Sequence, residues 1–221
     1  MRCSSEPVAD FTGQADAARR LVAAVEQADP AGPVARVIDG MAGSGKTTLA
    51  VHAATRLSAR YPDARLFIDL QGHSTSSPVE PATALVTLLR QLGVPAGRIP
   101  TELEHRAALW RAELAVRRAV VVLDNAGNSE QVVPLLPSAP GTLVLVTSRL
   151  RLPAFDGVPP ESLPVLSADE AIELLANVAG PDRIRAESAA AATVWARRRR
   201  WPACRRPRPS RSSVSWWTTT W

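Results

Sequence analysis

Cysteine is nearly absent from this 221-residue chain: Cys3 and Cys204 lie at opposite ends, with neither a CxxC pair nor a histidine close by. That excludes a disulfide-built scaffold and a zinc finger, and it points to a reducing cytoplasm. Long apolar runs are also missing. None approaches the roughly 18 residues that a membrane-spanning helix needs, so no integral membrane protein is expected. The opening MRCSSEPVADF lacks the apolar core of a secretory signal, so none is expected there. No Gly-x-Ser-x-Gly or HExxH pattern occurs, which removes the usual serine-hydrolase and metalloprotease readings. Lysine occurs once, at Lys46, beside 25 arginines.

What is there begins with an apolar share of 46%, enough for a core of ordinary size. The net charge of +5 misleads until it is located. Residues 1–192 hold 18 basic groups against all 21 acidic ones, whereas residues 193–221 hold eight arginines, no acid, and five of the six tryptophans. Two compositions meet near residue 193, and the basic character belongs to the second.

Strand and helix patterns alternate along the first part. An apolar stripe predicts a helix over Asp16–Ala28, stopped by Asp29-Pro30. Short β-branched runs predict strands at Val34–Asp39 and Arg65–Leu70, with helices at about 45–60 and 82–92. Thr101–Arg117 has helical spacing, with Trp110 on its core face, and a Thr-x-x-Glu capping box is expected to open it. AVVVL at 119–123 and LVLVT at 143–147 are continuous apolar runs, as expected of parallel strands covered on both faces. A weaker fifth strand is expected at Ser162–Leu166. A second capping box, Ser167 to Glu170, is expected to open a helix to about Ala179. This is an α/β chain with a mostly parallel sheet.

The strongest local signal is Gly40-Met41-Ala42-Gly43-Ser44-Gly45-Lys46-Thr47, a full GxxxxGK[ST], entered from a strand and left through Thr48 into a helix. Glycines let the backbone wrap a polyphosphate, so that successive N–H groups and the helix N-terminus face the anion. Lys46 would reach the β- and γ-phosphates, and the Thr47 hydroxyl would ligate Mg²⁺. A lone lysine in an arginine-rich chain fits a place where a compact ammonium is needed and a guanidinium fork is too broad.

Asp124 closes the run AVVVL, the form of a Walker B carboxylate that holds Mg²⁺. Asp124-Asn-Ala-Gly127 also matches the DxxG of GTPases, but a guanine-specifying NKxD needs a second lysine, and none exists. Asn125 follows Asp124 where many hydrolytic relatives have Glu; an amide can orient a water but cannot take its proton, so slow turnover is expected. Arg149 ends the third apolar strand, at the sheet's C-terminal edge, where it could meet a γ-phosphate. The spacing of His52, His73 and His105 makes no metal site, and all three read as structural or solvated.

In order, these pieces resemble the NB-ARC-type nucleotide-binding module of STAND-class P-loop ATPases. The versions most similar are those of actinobacterial antibiotic-regulator-type transcription factors. The pieces are ADFTGQADAARRL, VIDGMAGSGKTTLAVHAA, RLFIDLQGH, AVVVLDNAGNSEQVVPLLP, LVLVTSR and LPVLSADEAIELL, and the likeness runs from about Ala9 to Ala192. The resemblance implies a P-loop three-layer sandwich with a five-stranded core, in which the strand ending Thr147-Ser148-Arg149 lies between the two Walker strands. It implies tight ADP binding, ATP-driven homo-oligomerisation, and a cytoplasmic switch that hydrolyses ATP slowly with Mg²⁺. It assigns Gly40 to Thr48 to the phosphates, Thr47 and Asp124 to the metal, and phosphate sensing to Arg149. DNA contact would come only through a part that this sequence does not contain.

The sequence departs from that family at Gly13-Gln14, where the family has Gly-Arg near the adenine. It also lacks a GLPL-type segment after Ala192. The expected organisation is therefore an N-terminal segment and helix over 1–30, a P-loop domain over 31–180, and the start of a helical domain over 181–192. Beyond it stands a basic, Trp-rich tail over 193–221, read as truncated, out of frame or disordered. Two other readings stay open: a small P-loop phosphotransferase, and a nucleic-acid-binding protein that acts through the tail.

Overall fold

The computed structural model describes residues 14–29, 31–74, 77–155, 158–165 and 168–179. The tail and the expected helical-domain start lie outside them. The chain divides into two units, Met1–Leu174 and Leu175–Trp221, and the parallel sheet with its phosphate loop belongs to the first.

The elements run α1 (Ala15–Glu26), β1 (Val34–Gly40), α2 (Lys46–Arg56), β2 (Ala64–Asp69), α3 (Pro81–Gln91) and α4 (Leu103–Ala115). They continue as β3 (Ala119–Ala126), α5 (Ser129–Val132), β4 (Thr142–Ser148), β5 (Glu161–Leu163) and α6 (Ala168–Ala179). All five strands are parallel, in the order β2-β3-β4-β1-β5. β4 therefore lies between the strand that enters the glycine-rich loop and the strand that carries Asp124.

Strand alternation splits the apolar runs between two layers. Val120 and Val122 of β3, with Leu143 and Leu145 of β4, pack under α1 and α2 against Leu21, Val25, Leu49 and Ala53. Val121, Leu123, Val144 and Val146 face the other way, onto Leu85, Leu88 and Leu89 of α3 and Trp110 and Leu114 of α4. Each fully buried Leu or Val contributes about 1.5–3 kcal/mol. Helices on both faces explain why these strands read as unbroken apolar runs, and they make the three-layer α/β sandwich. Trp110 is fully buried, and its indole N–H donates to the Leu135 carbonyl at 2.8 Å.

Three local expectations need correction. The capping box at Thr101 does not form: the N-cap is Glu102, without a side-chain cap bond, and Glu104 falls in the first turn instead. Tertiary contacts set this start, because the Arg106 guanidinium donates to the carbonyls of Pro100 and Ala82 and straps the approach to α4. The fifth strand is shorter than expected and begins at Glu161, pairing only as Ile38↔Glu161 to Gly40↔Leu163 before Pro164, which has no N–H to donate. Finally, β3 does not stop at Leu123. It runs on to Ala126 through an irregularity, Leu123↔Val146 being followed by Ala126↔Ser148, so that two residues of β3 stand opposite Thr147. The second capping box, at Ser167, lies outside the described residues.

Among the described residues, no helix is long and apolar enough to cross a membrane.

Candidate phosphate and metal site

β1 ends at Gly40 and α2 begins at Lys46, so Gly40–Gly45 is the loop between a buried strand and a helix N-terminus. The first-turn N–H groups of any helix lack partners within it, and they point out of its N-terminus. The turn into α2 needs a left-handed residue, and Gly45, with φ +87°, supplies it. Within the loop the Ser44 N–H donates to the Met41 carbonyl at 3.3 Å, and Leu49 N–H closes on the Gly45 carbonyl at 2.9 Å. Ser44 is buried, whereas Met41, Ala42, Gly43, Thr47 and Thr48 are exposed.

The Lys46 ammonium lies back along this loop, donating to the Met41 carbonyl at 2.5 Å and reaching Ser44 Oγ at 3.4 Å. An ammonium has three N–H donors, so the loop's own acceptors engage two of them. Burial lowers the Lys46 pKa first, the Arg149 charge lowers it further, and Asp124 and Asp39 oppose both. Arg149 and Asp124, far from Lys46 in sequence, thus both act on its ammonium. Arg149 itself is exposed just past the end of β4.

Asp124 is buried and anchors the polar half of the site. Its Oδ1 accepts from the Thr47 hydroxyl at 2.8 Å and from the Thr147 hydroxyl at 2.6 Å. The Thr147 oxygen accepts in turn from the Asn125 N–H at 2.8 Å. This bond satisfies the backbone donor that the β3 irregularity leaves without a strand partner. The fit to a magnesium ion can be judged from the oxygens alone. Two neighbouring ligands of an octahedral Mg²⁺ at about 2.0–2.1 Å stand about 2.9 Å apart, close to the 2.8 Å between Thr47 Oγ1 and Asp124 Oδ1. Both are hard oxygens, the type Mg²⁺ prefers.

Several contributors escape a reading of the sequence. Thr147 was visible only as a polar residue ending an apolar strand, and its hold on Asp124 bridges positions 23 apart. The Gln14 amide, where the family resemblance predicts an arginine beside the base, donates to the Ser44 carbonyl at 2.5 Å and lies on the phosphate loop. Asn125 is not a free amide facing water: it sits at φ +55°, and its side-chain nitrogen reaches Asp69 Oδ1 at 3.3 Å and Ser74 Oγ at 3.2 Å. For His73 the sequence predicts a structural or solvated ring. Its Nε2 is buried and, among the described residues, has no hydrogen-bond partner, and the charges of Arg149 and Lys46 both reach the ring.

No family model matches the chain. It is 42% identical over 192 residues to the regulatory protein AfsR of Streptomyces coelicolor, covering 85% of this chain and 19% of that one. It is 40% identical over 187 residues to AfsR of Streptomyces griseus, with the same coverage. Among solved structures, the fold is similar to the Aeropyrum pernix ORC2 protein in its ADPNP-ADP complexes, with a TM-score of 0.56, 18% identity, and 78% of this chain against 52% of that one. It is likewise similar to Cdc6p of Pyrobaculum aerophilum, with a TM-score of 0.57, 14% identity, and coverages of 83% and 52%. At such identities these two show the fold alone. Over 85% of its length the chain is thus similar to AfsR-like regulators, with the fold of a P-loop ATPase, and it spans about a fifth (19%) of their length.

Proposed function

We propose that this chain is the nucleotide-binding switch module of an AfsR-like regulator, taking ATP or ADP with Mg²⁺ in the cradle between β1 and α2. The observation that carries the reading is the convergence of the Thr47 and Thr147 hydroxyls on one buried carboxylate oxygen of Asp124. A lone glycine-rich turn has no use for a desolvated carboxylate across the sheet; a metal-phosphate site does. The ADPNP and ADP forms of the ORC2 relative in fold agree with it.

In this reading the backbone of Gly40 to Gly45 and the N-terminus of α2 hold the phosphates, with Met41, Ala42, Gly43, Ser44, Lys46, Thr47 and Thr48 all within the loop and first turn. Thr47 and Asp124 would hold Mg²⁺, which when bound neutralises charge on the phosphate oxygens. Lys46 and Arg149 bring the two cations, and Thr147 keeps the Asp124 carboxylate aimed. Asn125 has no proton-accepting group and its amide nitrogen is engaged, so any hydrolysis is slow and bound nucleotide acts as a state marker. Oligomerisation with the triphosphate, a cytoplasmic location and a role in transcription are parts of the same proposal. The nucleotide domain would correspond to residues 31–180.

The test is the Mg²⁺ dependence of ATP binding. Asp124→Ala should remove most of the affinity that Mg²⁺ adds, while changing the metal-free affinity for ADP little. Equal Mg²⁺ dependence in the variant and the parent would refute the metal role.

A further inference from the structure

His73 stands in the turn that leaves β2, and that turn is fastened to the end of β3 at several points. Leu70 N–H donates to the Asp124 carbonyl at 2.8 Å, and Gly72 N–H to the Asn125 carbonyl at 2.7 Å. The Asn125 amide nitrogen adds its contact with Ser74 Oγ at 3.2 Å. The backbones of Gly72 and Gly127 are in direct contact: a Cβ on Gly72 would stand 2.0 Å from the Gly127 nitrogen. The backbone that carries His73 is thereby held beside the metal-side strand.

Among the described residues the His73 Nε2 is buried without a partner, an uncommon condition for a polar atom and one that a ligand atom would relieve. The strand ends run β1, β4, β3, β2 across the sheet, and carry the phosphate loop, Arg149, Asp124 and His73 in that order. A polyphosphate anchored in the loop after β1 extends its far end across β4 and β3. A group on the β2 turn, beyond Asp124, is placed to meet only the last phosphate. Burial first, then the charges of Arg149 and Lys46, press the His73 pKa below its usual value, so the ring is neutral and carries one N–H.

We propose that His73 reads the terminal phosphate, its Nε2–H donating to a γ-phosphate oxygen that lies between the Lys46 ammonium and the Arg149 guanidinium. The proposal rests on the nucleotide-cradle reading above and adds a specific consequence. The chain tells a nucleoside triphosphate from a diphosphate partly through a residue on the turn after β2, a strand that carries neither Walker motif. Asn125 then serves as a positioning residue that holds the His73 turn in place.

The experiment is calorimetric titration of the 221-residue chain, in Mg²⁺, with ADP and with β,γ-imido-ATP. It compares the parent with His73→Ala, His73→Gln and Lys46→Ala. For His73→Ala, the Kd for the imido-triphosphate should rise about tenfold and the Kd for ADP stay within about twofold, while His73→Gln, which keeps a donor, should recover part of the loss. In parallel, the ring titration of His73 followed by NMR should move upward when the imido-triphosphate replaces ADP. Equal weakening of both nucleotides, no weakening of either, or an unmoved ring titration would each overturn the assignment and leave the cradle standing. Unchanged ADP affinity in Lys46→Ala would overturn the cradle, and this assignment with it.

Discussion

Thr147 shows how much a single hydroxyl carries in this site. It donates to the buried Asp124 carboxylate and accepts from the Asn125 N–H, so one oxygen aims the metal-side carboxylate and also satisfies the backbone at the β3 irregularity. Thr147→Val keeps the shape and removes both bonds. Leaving such groups unsatisfied costs about 1–3 kcal/mol, and thermal or denaturant unfolding should register a loss of that size. The same variant should bind ATP with a weaker Mg²⁺ dependence. A variant as stable as the parent would mean that water replaces the hydroxyl. At this scale the sequence was partly legible. Gly40 to Thr47 and Asp124 announce themselves because phosphate and metal chemistry demands fixed residue types at fixed spacing. Thr147, Gln14 and His73 do not, because their partners lie on other elements and nothing local marks them.

At the scale of elements, the sheet was readable because strands covered on both faces must be apolar throughout. AVVVL and LVLVT could hardly be anything else in a chain of alternating helices and strands. The order β2-β3-β4-β1-β5 is not in that periodicity; family resemblance implies only that β4 lies between the two Walker strands, and the structure supplies the rest. Local end signals did less well, since Arg106 tying the approach to α4 overrides the Thr101 box. The β2 and β3 ends meet through glycine backbones, and this junction makes a sharp prediction. Gly72→Ala places a methyl 2.0 Å from the Gly127 nitrogen, an overlap that only backbone movement can relieve. Crowding of this kind costs about 1–3 kcal/mol. Denaturant midpoints should show it for Gly72→Ala and not for Gly97→Ala, whose added Cβ meets nothing within 4 Å. Equal midpoints for the two would show that the junction gives way freely.

For the molecule as a whole, pH offers an independent handle. Burial lowers the pKa of both His52 and His73, so the folded chain binds their protons less tightly than the unfolded chain does. Their contribution to stability is therefore complete above about pH 6.5, the unperturbed value, and is lost as the pH falls through the lowered folded values. The melting temperature should drop between pH 7 and pH 5, and part of the drop should vanish in a His52→Gln, His73→Gln double variant. An identical pH profile in that variant would show that neither ring is desolvated.

The central claim is that one ammonium and a ring of main-chain amides make a cradle for a nucleoside polyphosphate. Lys46 is the only lysine available for that task. Its most direct test is calorimetric titration of ADP into the 221-residue chain and into Lys46→Ala. Saturable heat in the parent that disappears in the variant is the predicted result; the same binding curve from both proteins would contradict the claim.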